Sequence, residues 1–193
     1  MLTAGVTRSL VRNSIQREHL PSKKGKWTGK PGDSYFVLDE NETFSPARGH
    51  KKVTGAYIKN KYNTASVLYK NGEPDFVPFA DKSIGILTCN HMPDVRTGAG
   101  GSYKLAEEIA CKKMGFTRSQ LHTYMTLHQL TWHECGDRRT IIAVPTEIHG
   151  VFKHSGGISM QKGMHSLAEK VFSTHSLKVK VYRTKNTFRI KKR

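Results

Sequence analysis

Acidic residues are scarce in this chain. Asp and Glu number 15 against 32 Lys and Arg, a formal net charge of +17 over 193 residues. So one-sided a field favours polyanions: nucleic acid, an anionic membrane face or an acidic protein. A solvated basic surface or a ribosome-associated protein is the plainer reading of the same charge. Cysteine is scarce too. Cys89, Cys111 and Cys135 form an odd set without a CxxC pair, which argues against a disulfide framework and a thiolate zinc finger. No run approaches 18 apolar residues, so no membrane-spanning helix is expected. The stretch "MLTAGVTRSLVRNSIQREHLPSKKGKWTG" has no apolar signal-peptide core, so any export is expected to use something other than a simple cleavable signal. Mean hydropathy is low at −0.55, yet aromatics recur along the chain, which excludes full disorder.

What is present falls into three parts. Residues 1–33 are basic and contain Gly, Pro and Ser, and they read as an arm or linker. Residues 34–160 carry the periodic patterns of a folded domain. "SYFVL", "VTGAYI" and "ASVLYKNGEPDFVPF" read as strands, the last with an Asn71-Gly72 turn. They predict a small antiparallel element over roughly 53–79. "GSYKLAEEIACKKMGFT" spaces Leu105, Ala106, Ile109, Ala110 and Met114 as one helix face, with Gly115 as its stop. "TRSQ" at 117–120 has capping-box form and opens a second helix to about His128. Residues 161–193 form a basic extension. It holds a helix candidate, "GMHSLAEKVF", and an alternating strand candidate, "LKVKVY". Residues 170–193 have nine Lys or Arg and no Asp or Glu. With Tyr182 and Phe188 interleaved, that tail reads as a phosphate contact or as a solvated end.

Chemistry concentrates in "TWHECGDRRTIIAVPTEIHGVFKHSGG", residues 131–157. "LTWHE" and "TIIAVP" flank "CGDRR" as a hairpin. Pro145 ends the second strand, Thr146 is the expected N-cap, and "EIHGVFKHSGG" is expected to be a short helix. The order over 130–155 is therefore β, turn, β, α, a geometry that aims His133, His149 and His154 at one point. Three neutral imidazoles with one position open are the donor set of a catalytic divalent metal. His149 and His154 are five apart, about 140° around an ideal helix. Their convergence therefore requires the helix to unwind before His154. The other histidines, including His19, show no partner pattern and read as surface or core-satisfied residues. Trp132 reads as a core anchor, and Asp75 and Phe76 as packing and turn residues beside the site.

The ordered blocks "LTWHE", "VP", "IH" and "HSGG", with "YKNGEPDFVPF" upstream and "LAEEIACKKMG" between, resemble the HNH/endonuclease VII superfamily. The likeness is to its toxin nucleases of Trp-His-His type, relatives of the colicin DNases, and covers about Leu68 to Gly157. It implies an α+β fold with a ββα-metal (His-Me finger) core, flanking helices and a small antiparallel element. It also implies phosphodiester cleavage with one divalent metal, Mg, Mn, Zn or Ni. In that family the first strand ends in a His-His pair, one a ligand and the next a general base. The helix supplies two more ligands, here His149 and His154. Glu134 stands in place of the second His. Within the His133/Glu134 pair the alignment favours His133 as ligand and Glu134 as base; the other assignment makes His133 the base and Glu134 a ligand or orienter. No Asn stands in the hairpin, leaving Asp137 or Cys135 to pin its loop. Arg96 matches a recurring family Arg, a phosphate clamp or a cap of the following helix.

The resemblance further implies a largely nonspecific DNase, the toxic cargo of an antibacterial effector. Such a protein is secreted or delivered by a specialised system, acts in the target cell's cytoplasm, and is matched by an acidic immunity protein. An RNase of the same fold and a non-catalytic nucleic-acid-binding module are the competing readings.

Overall fold

Residues 19–156 and the strand segments 180–183 and 188–191 are described in the computed structural model. Strands β1 (Gly25–Trp27), β2 (Tyr35–Leu38), β5 (Ser66–Lys70) and β6 (Glu73–Pro74) form an antiparallel sheet in the order β1-β2-β5-β6. Alternation sets its faces: Phe36 and Leu38 of β2 point inward while Tyr35 and Val37 stay exposed. The β5–β6 turn is the expected Asn71-Gly72, both at positive φ, 54° and 84°.

The antiparallel element is therefore larger than residues 53–79. Its edge strand comes from the stretch that reads as an arm. Trp27 packs edge-on against Phe36 and Tyr69, at centroid distances of 5.1 and 4.9 Å, and donates its indole N–H to Pro21 O at 3.0 Å. An amphipathic ring with a satisfied polar tip holds residues 21–27 on the sheet. Residues 1–18 lie outside the described residues.

"VTGAYI" also departs from its strand expectation. Only Val53–Thr54 is extended, as β4 paired with β3 (Thr43–Phe44). Helix α1 follows at Gly55–Tyr62. Thr54 decides this locally, because its hydroxyl accepts from Tyr57 N–H at 3.1 Å and caps the helix. Gly55 and Ile58, three apart, are the residues α1 buries. A Cβ at position 55 would lie 2.1 Å from Asp39 O, so the helix start requires glycine.

The second layer holds β7 (Ile86–Thr88), β8 (Leu130–Glu134) and β9 (Thr140–Pro145), ordered β7-β9-β8. Helices α2 (Ser102–Met114) and α3 (Arg118–Leu127) pack on it. Ala106 and Ala110 bury the stripe read from sequence, and Gly115 ends α2 at φ 68°. The expected capping box of α3 is complete: Gln120 N–H reaches Thr117 Oγ1 at 3.3 Å and Thr117 N–H reaches Gln120 Oε1 at 2.8 Å. Trp132 is buried in this cluster beside Ile141 and Ala143, as a core anchor.

After β9 comes the short helix α4 (Thr146–Val151), which closes the β, β, α order over 130–151 and gives an α+β fold with a ββα-type core. Its cap differs from expectation. Pro145 is the N-cap residue and Thr146 is already the first helical position, with no side-chain cap bond. Ile148, Val151 and Phe152 join Phe36, Tyr69 and Phe76 in the first core. Each such side chain, fully buried, is worth about 1.5–3 kcal/mol of transfer free energy. Further on, β10 (Lys180–Arg183) and β11 (Phe188–Lys191) pair antiparallel. This agrees with a strand near "LKVKVY". The helix candidate at 163–172 and the side chains of Tyr182 and Phe188 lie outside the described residues.

Candidate metal centre

Asp137 builds the hairpin that carries His133. One of its carboxylate oxygens accepts from Arg139 and Thr140 N–H, both at 2.8 Å, and the other from Thr140 Oγ1 at 2.6 Å. Cys135 contributes only through its backbone, N–H to Thr140 O at 2.9 Å. Of the two residues expected to pin the loop, Asp137 supplies the side chain. Glu73 adds a bond across the sheets, accepting from Gly136 N–H at 2.5 Å.

Helix α4 presents His149. Its neighbour Gly150 lies so close to residue 46 that a Cβ would fall 1.8 Å from Pro46 O, so no side chain fits there. The helix ends at Val151, before His154. The five-residue spacing is thus no obstacle, because the chain has left helical geometry. Tyr69 donates its hydroxyl to Lys153 O at 2.9 Å, and His154 Nδ1 lies 2.9 Å from Phe152 O. These two bonds fix the turn that brings His154 back.

The three expected ligands converge. Ring centroids are 5.3 Å apart for His133 and His149, 5.0 Å for His133 and His154, and 4.9 Å for His149 and His154. One ligand nitrogen from each lies within 4.8 Å of the other two. Phe76 touches all three rings, at 4.9, 5.7 and 5.3 Å, and is itself buried. It is the hydrophobic floor that orients them. Both nitrogens of His133 are buried without a hydrogen-bond partner. A buried orphan polar group costs about 1–3 kcal/mol, so a ligand that engages His133 removes a penalty.

Electrostatics keeps the trio neutral. Burial drives His133 well below the ordinary imidazole value, with His154, His149 and Arg96 adding to the effect. Burial, then His154 and Arg96, lowers His149 to about 3. Burial also lowers His154 to about 4, against the opposing bond to Phe152 O and with help from Arg96. Neutral imidazoles need lose no proton to coordinate a cation. The residues present therefore fit a divalent metal held by three nitrogens with room for water, on both the orphaned nitrogens and the donor chemistry.

Glu134 and Arg96 are bonded to one another. Arg96 donates from Nε at 3.1 Å and from Nη2 at 3.0 Å to one Glu134 oxygen, and Ser102 Oγ donates to the other. Glu134 is 3 % exposed, while 42 % of the Arg96 side chain is open. The two roles considered for Arg96 are not exclusive. Its backbone oxygen accepts from Tyr103 N–H at 3.1 Å, capping α2, while its guanidinium turns to the site. Ser102 carries no sequence signal for this bond, which spans 32 positions. The three histidines, Arg96, Glu134, Tyr103 and Lys153 line a cavity of about 400 Å³. His19 and Leu20, from the stretch expected to be a loose arm, also line it. His19 carries no sequence signal for this placement, because its partner, Ser155, is 136 positions away.

A β-hairpin and helix that bring three neutral histidines to one cavity form a ββα-type centre. Residues 66–156, just under half of the chain, match the family model of the DNase/tRNase domain of colicin-like bacteriocin. That match supports a nuclease toxin domain, bacteriocin-like in kind, over these residues. No curated protein and no solved structure matches it.

Proposed function

We propose that the protein is a metal-dependent, largely sequence-nonspecific endonuclease acting on DNA, the toxin domain of an antibacterial effector. The observation that supports metal dependence is the trio His133, His149 and His154, neutral and convergent, with both His133 nitrogens unpartnered. A divalent ion bound there supplies Lewis-acid activation of a phosphodiester oxygen. Arg96 is the phosphate-binding residue. Glu134 holds its guanidinium through one edge, and the open part of the side chain offers further N–H donors to a non-bridging oxygen. Lys153, exposed at the cavity, adds cationic attraction. The charge of +17 supplies salt-dependent affinity for the polyanion as a whole.

Activity of this kind destroys the producing cell, so a cognate inhibitor is part of the reading. An acidic immunity protein suits the basic surface and is steered to it at low salt. Entry into the target cell is by specialised delivery. Among the described residues no helix is long and apolar enough to cross a membrane.

The deciding experiment incubates the full chain with plasmid DNA and with total RNA, with added Mg²⁺, Mn²⁺, Zn²⁺ or Ni²⁺ and then with EDTA. DNA nicking abolished by EDTA is the expected result. The matched family description covers tRNases as well as DNases, so cleavage of RNA alone assigns the second substrate. Tight binding without cleavage in every metal makes the protein a binding module. Expression without an inhibitor is expected to kill the host.

A further inference from the structure

The nuclease reading leaves one requirement open: a group that takes a proton from the attacking water. Glu134 carries the expectation from sequence, but Arg96 and Ser102 already occupy both its oxygens. His133, His149 and His154 are committed as ligands. Tyr103 is held above the ordinary phenol range, by burial first, and Lys153 is a cation with donors only. One lining residue remains with an unassigned nitrogen lone pair. His19 reaches the cavity from the N-terminal side, and its Nδ1 lies 2.9 Å from Ser155 Oγ.

Resting on that nuclease reading, we propose that His19 is the general base of the reaction, positioned by Ser155. The placement is built. Ser155 is buried and follows His154 directly, so the hydrogen bond ties His19 to the segment that presents a ligand. Leu20 packs on the first core, and the Trp27 indole holds Pro21 O at 3.0 Å. The backbone that follows His19 is thereby anchored. When Nδ1–H donates to the Ser155 hydroxyl oxygen, the tautomer is set and Nε2 keeps its lone pair. With Nδ1 engaged at Ser155, Nε2 is the other ring nitrogen of a residue that lines the cavity.

The step balances without a co-reactant. Nε2 of His19 takes one proton from a water as its oxygen forms the new bond to phosphorus. The bond from phosphorus to the 3′ oxygen breaks, and the leaving oxygen takes a proton from a second water. The imidazolium returns its proton to solvent. The net change is one water consumed, a 5′-phosphate and a 3′-hydroxyl formed, and no proton left on the protein.

The test uses the full chain and three variants, His19→Ala, His19→Gln and Ser155→Ala, on plasmid DNA and total RNA with each of the four metals. Metal affinity is measured by calorimetry, and folding by thermal melting. His19→Ala is expected to lower kcat about a hundredfold, the usual size for a lost general base, with metal affinity within twofold of wild type. Added imidazole is expected to restore part of that rate. His19→Gln keeps an amide within reach of Ser155 but takes up no proton, and is expected to be as slow as His19→Ala. Ser155→Ala is expected to fall less, because its imidazole survives and only its placement is lost. If His19→Gln cleaves at the wild-type rate, or if both His19 variants lose metal in proportion to activity, the proposal is overturned. Absence of imidazole rescue in a folded, metal-loaded His19→Ala overturns it as well. A wild type inactive on both nucleic acids in all four metals defeats the nuclease reading and this inference together. An active wild type with an unaffected His19→Ala defeats this inference alone.

Discussion

Two sides of one cavity are built on opposite principles. On the Glu134 side every carboxylate oxygen is engaged, by Arg96 and by Ser102. On the histidine side three rings face one another, and His133 has no hydrogen bond at either nitrogen. Both sides are buried at their centres, Glu134 at 3 % exposure and His133 at 2 %. Burial alone therefore does not explain the difference. A saturated network is complete in the protein itself and serves to hold a guanidinium in place. A neutral trio whose buried His133 lacks any partner is stable as a free cluster only at a cost, and its nitrogens suit a cation. The contrast separates a positioning device from a receptor, and mutation can break it from either side.

The largest effect is expected on the unsatisfied side. His149→Ala and His154→Ala should each lower metal affinity by more than a hundredfold, the upper range for losing even an outer partner of a ligand. Excess metal should recover part of the nicking rate. His133→Ala should behave in the same way, whereas Glu134→Gln should leave metal affinity nearly intact. Calorimetric titration of the four variants reads this directly. If His133→Ala binds metal normally, the division between the two sides is misdrawn at residue 133.

Next comes the saturated side. Arg96→Ala leaves a buried carboxylate facing Ser102 alone. Removing one partner of a buried pair costs about 3–5 kcal/mol. Because Arg96 is partly open to solvent, the loss is expected at or below roughly 3 kcal/mol by that same measure. Glu134→Gln in the Arg96→Ala background should recover much of it, since the unpaired charge is gone. Urea denaturation of the single and double variants gives the coupling. Additive costs would show that the pair is not an energetic unit.

A third test uses pH on the metal-free protein. Burial, then His154 and Arg96, lowers His149 to about 3, against about 6.5 for an unfolded imidazole. Between those values the unfolded chain binds the proton and the folded chain does not. Stability therefore falls as pH drops below about 6.5, by about 1.4 kcal/mol per pH unit for this one residue. Replacing His149 with Gln should flatten the stability profile between pH 6 and pH 5 by about that amount. An unchanged slope would mean that the ring is protonated in the folded state. Saturating metal should leave this slope in place and extend it to lower pH, because it holds the folded ring unprotonated.

What the sequence makes legible is what neighbouring residues decide. "LTWHE" and "TIIAVP" alternate or run apolar, and Asp137 closes the turn between them through bonds to residues 139 and 140. The capping box at 117–120 and the Asn71-Gly72 turn are similarly local. Local signals mislead where two propensities compete. "VTGAYI" has strand-forming Val, Thr and Ile, but the Thr54 cap and Gly55's contact with Asp39 carry the chain into a helix. His154 needed the end of α4 to be known before its convergence with His149 made sense. Contacts across long separations leave no trace in a single chain. Arg96 with Glu134 spans 38 positions and His19 with Ser155 spans 136. The histidine trio is legible because imidazole chemistry marks it as a candidate ligand set. Ser102 and His19 are not, because their residue types are ordinary and only the fold places them.

The smallest effect is expected from a third ionisable cluster, which tests whether saturation by itself marks function. Glu147 lies on α4 two residues before His149. One of its oxygens accepts from Tyr62 Oη and from Lys61 Nζ, each at 2.5 Å. Like Glu134 it is a buried carboxylate with donors from a distant element, yet it does not line the cavity. The bonds run from α1 to α4 and hold the ligand-bearing helix from behind. Burial, followed by the Glu147 bond, raises Tyr62 above the ordinary phenol range, so Tyr62 stays a neutral donor at working pH. Tyr62→Phe keeps the ring, which packs against Phe79 at 6.0 Å, and removes only the hydroxyl. Glu147 retains Lys61, so the expected loss is about 1 kcal/mol, that of one hydrogen bond. Metal affinity and nicking rate should not change. A Tyr62→Phe protein that melts as wild type does but binds metal more weakly would show that α4 is tuned through this anchor. The cluster would then belong with the cavity, and a buried, paired carboxylate outside it would no longer be a purely structural feature.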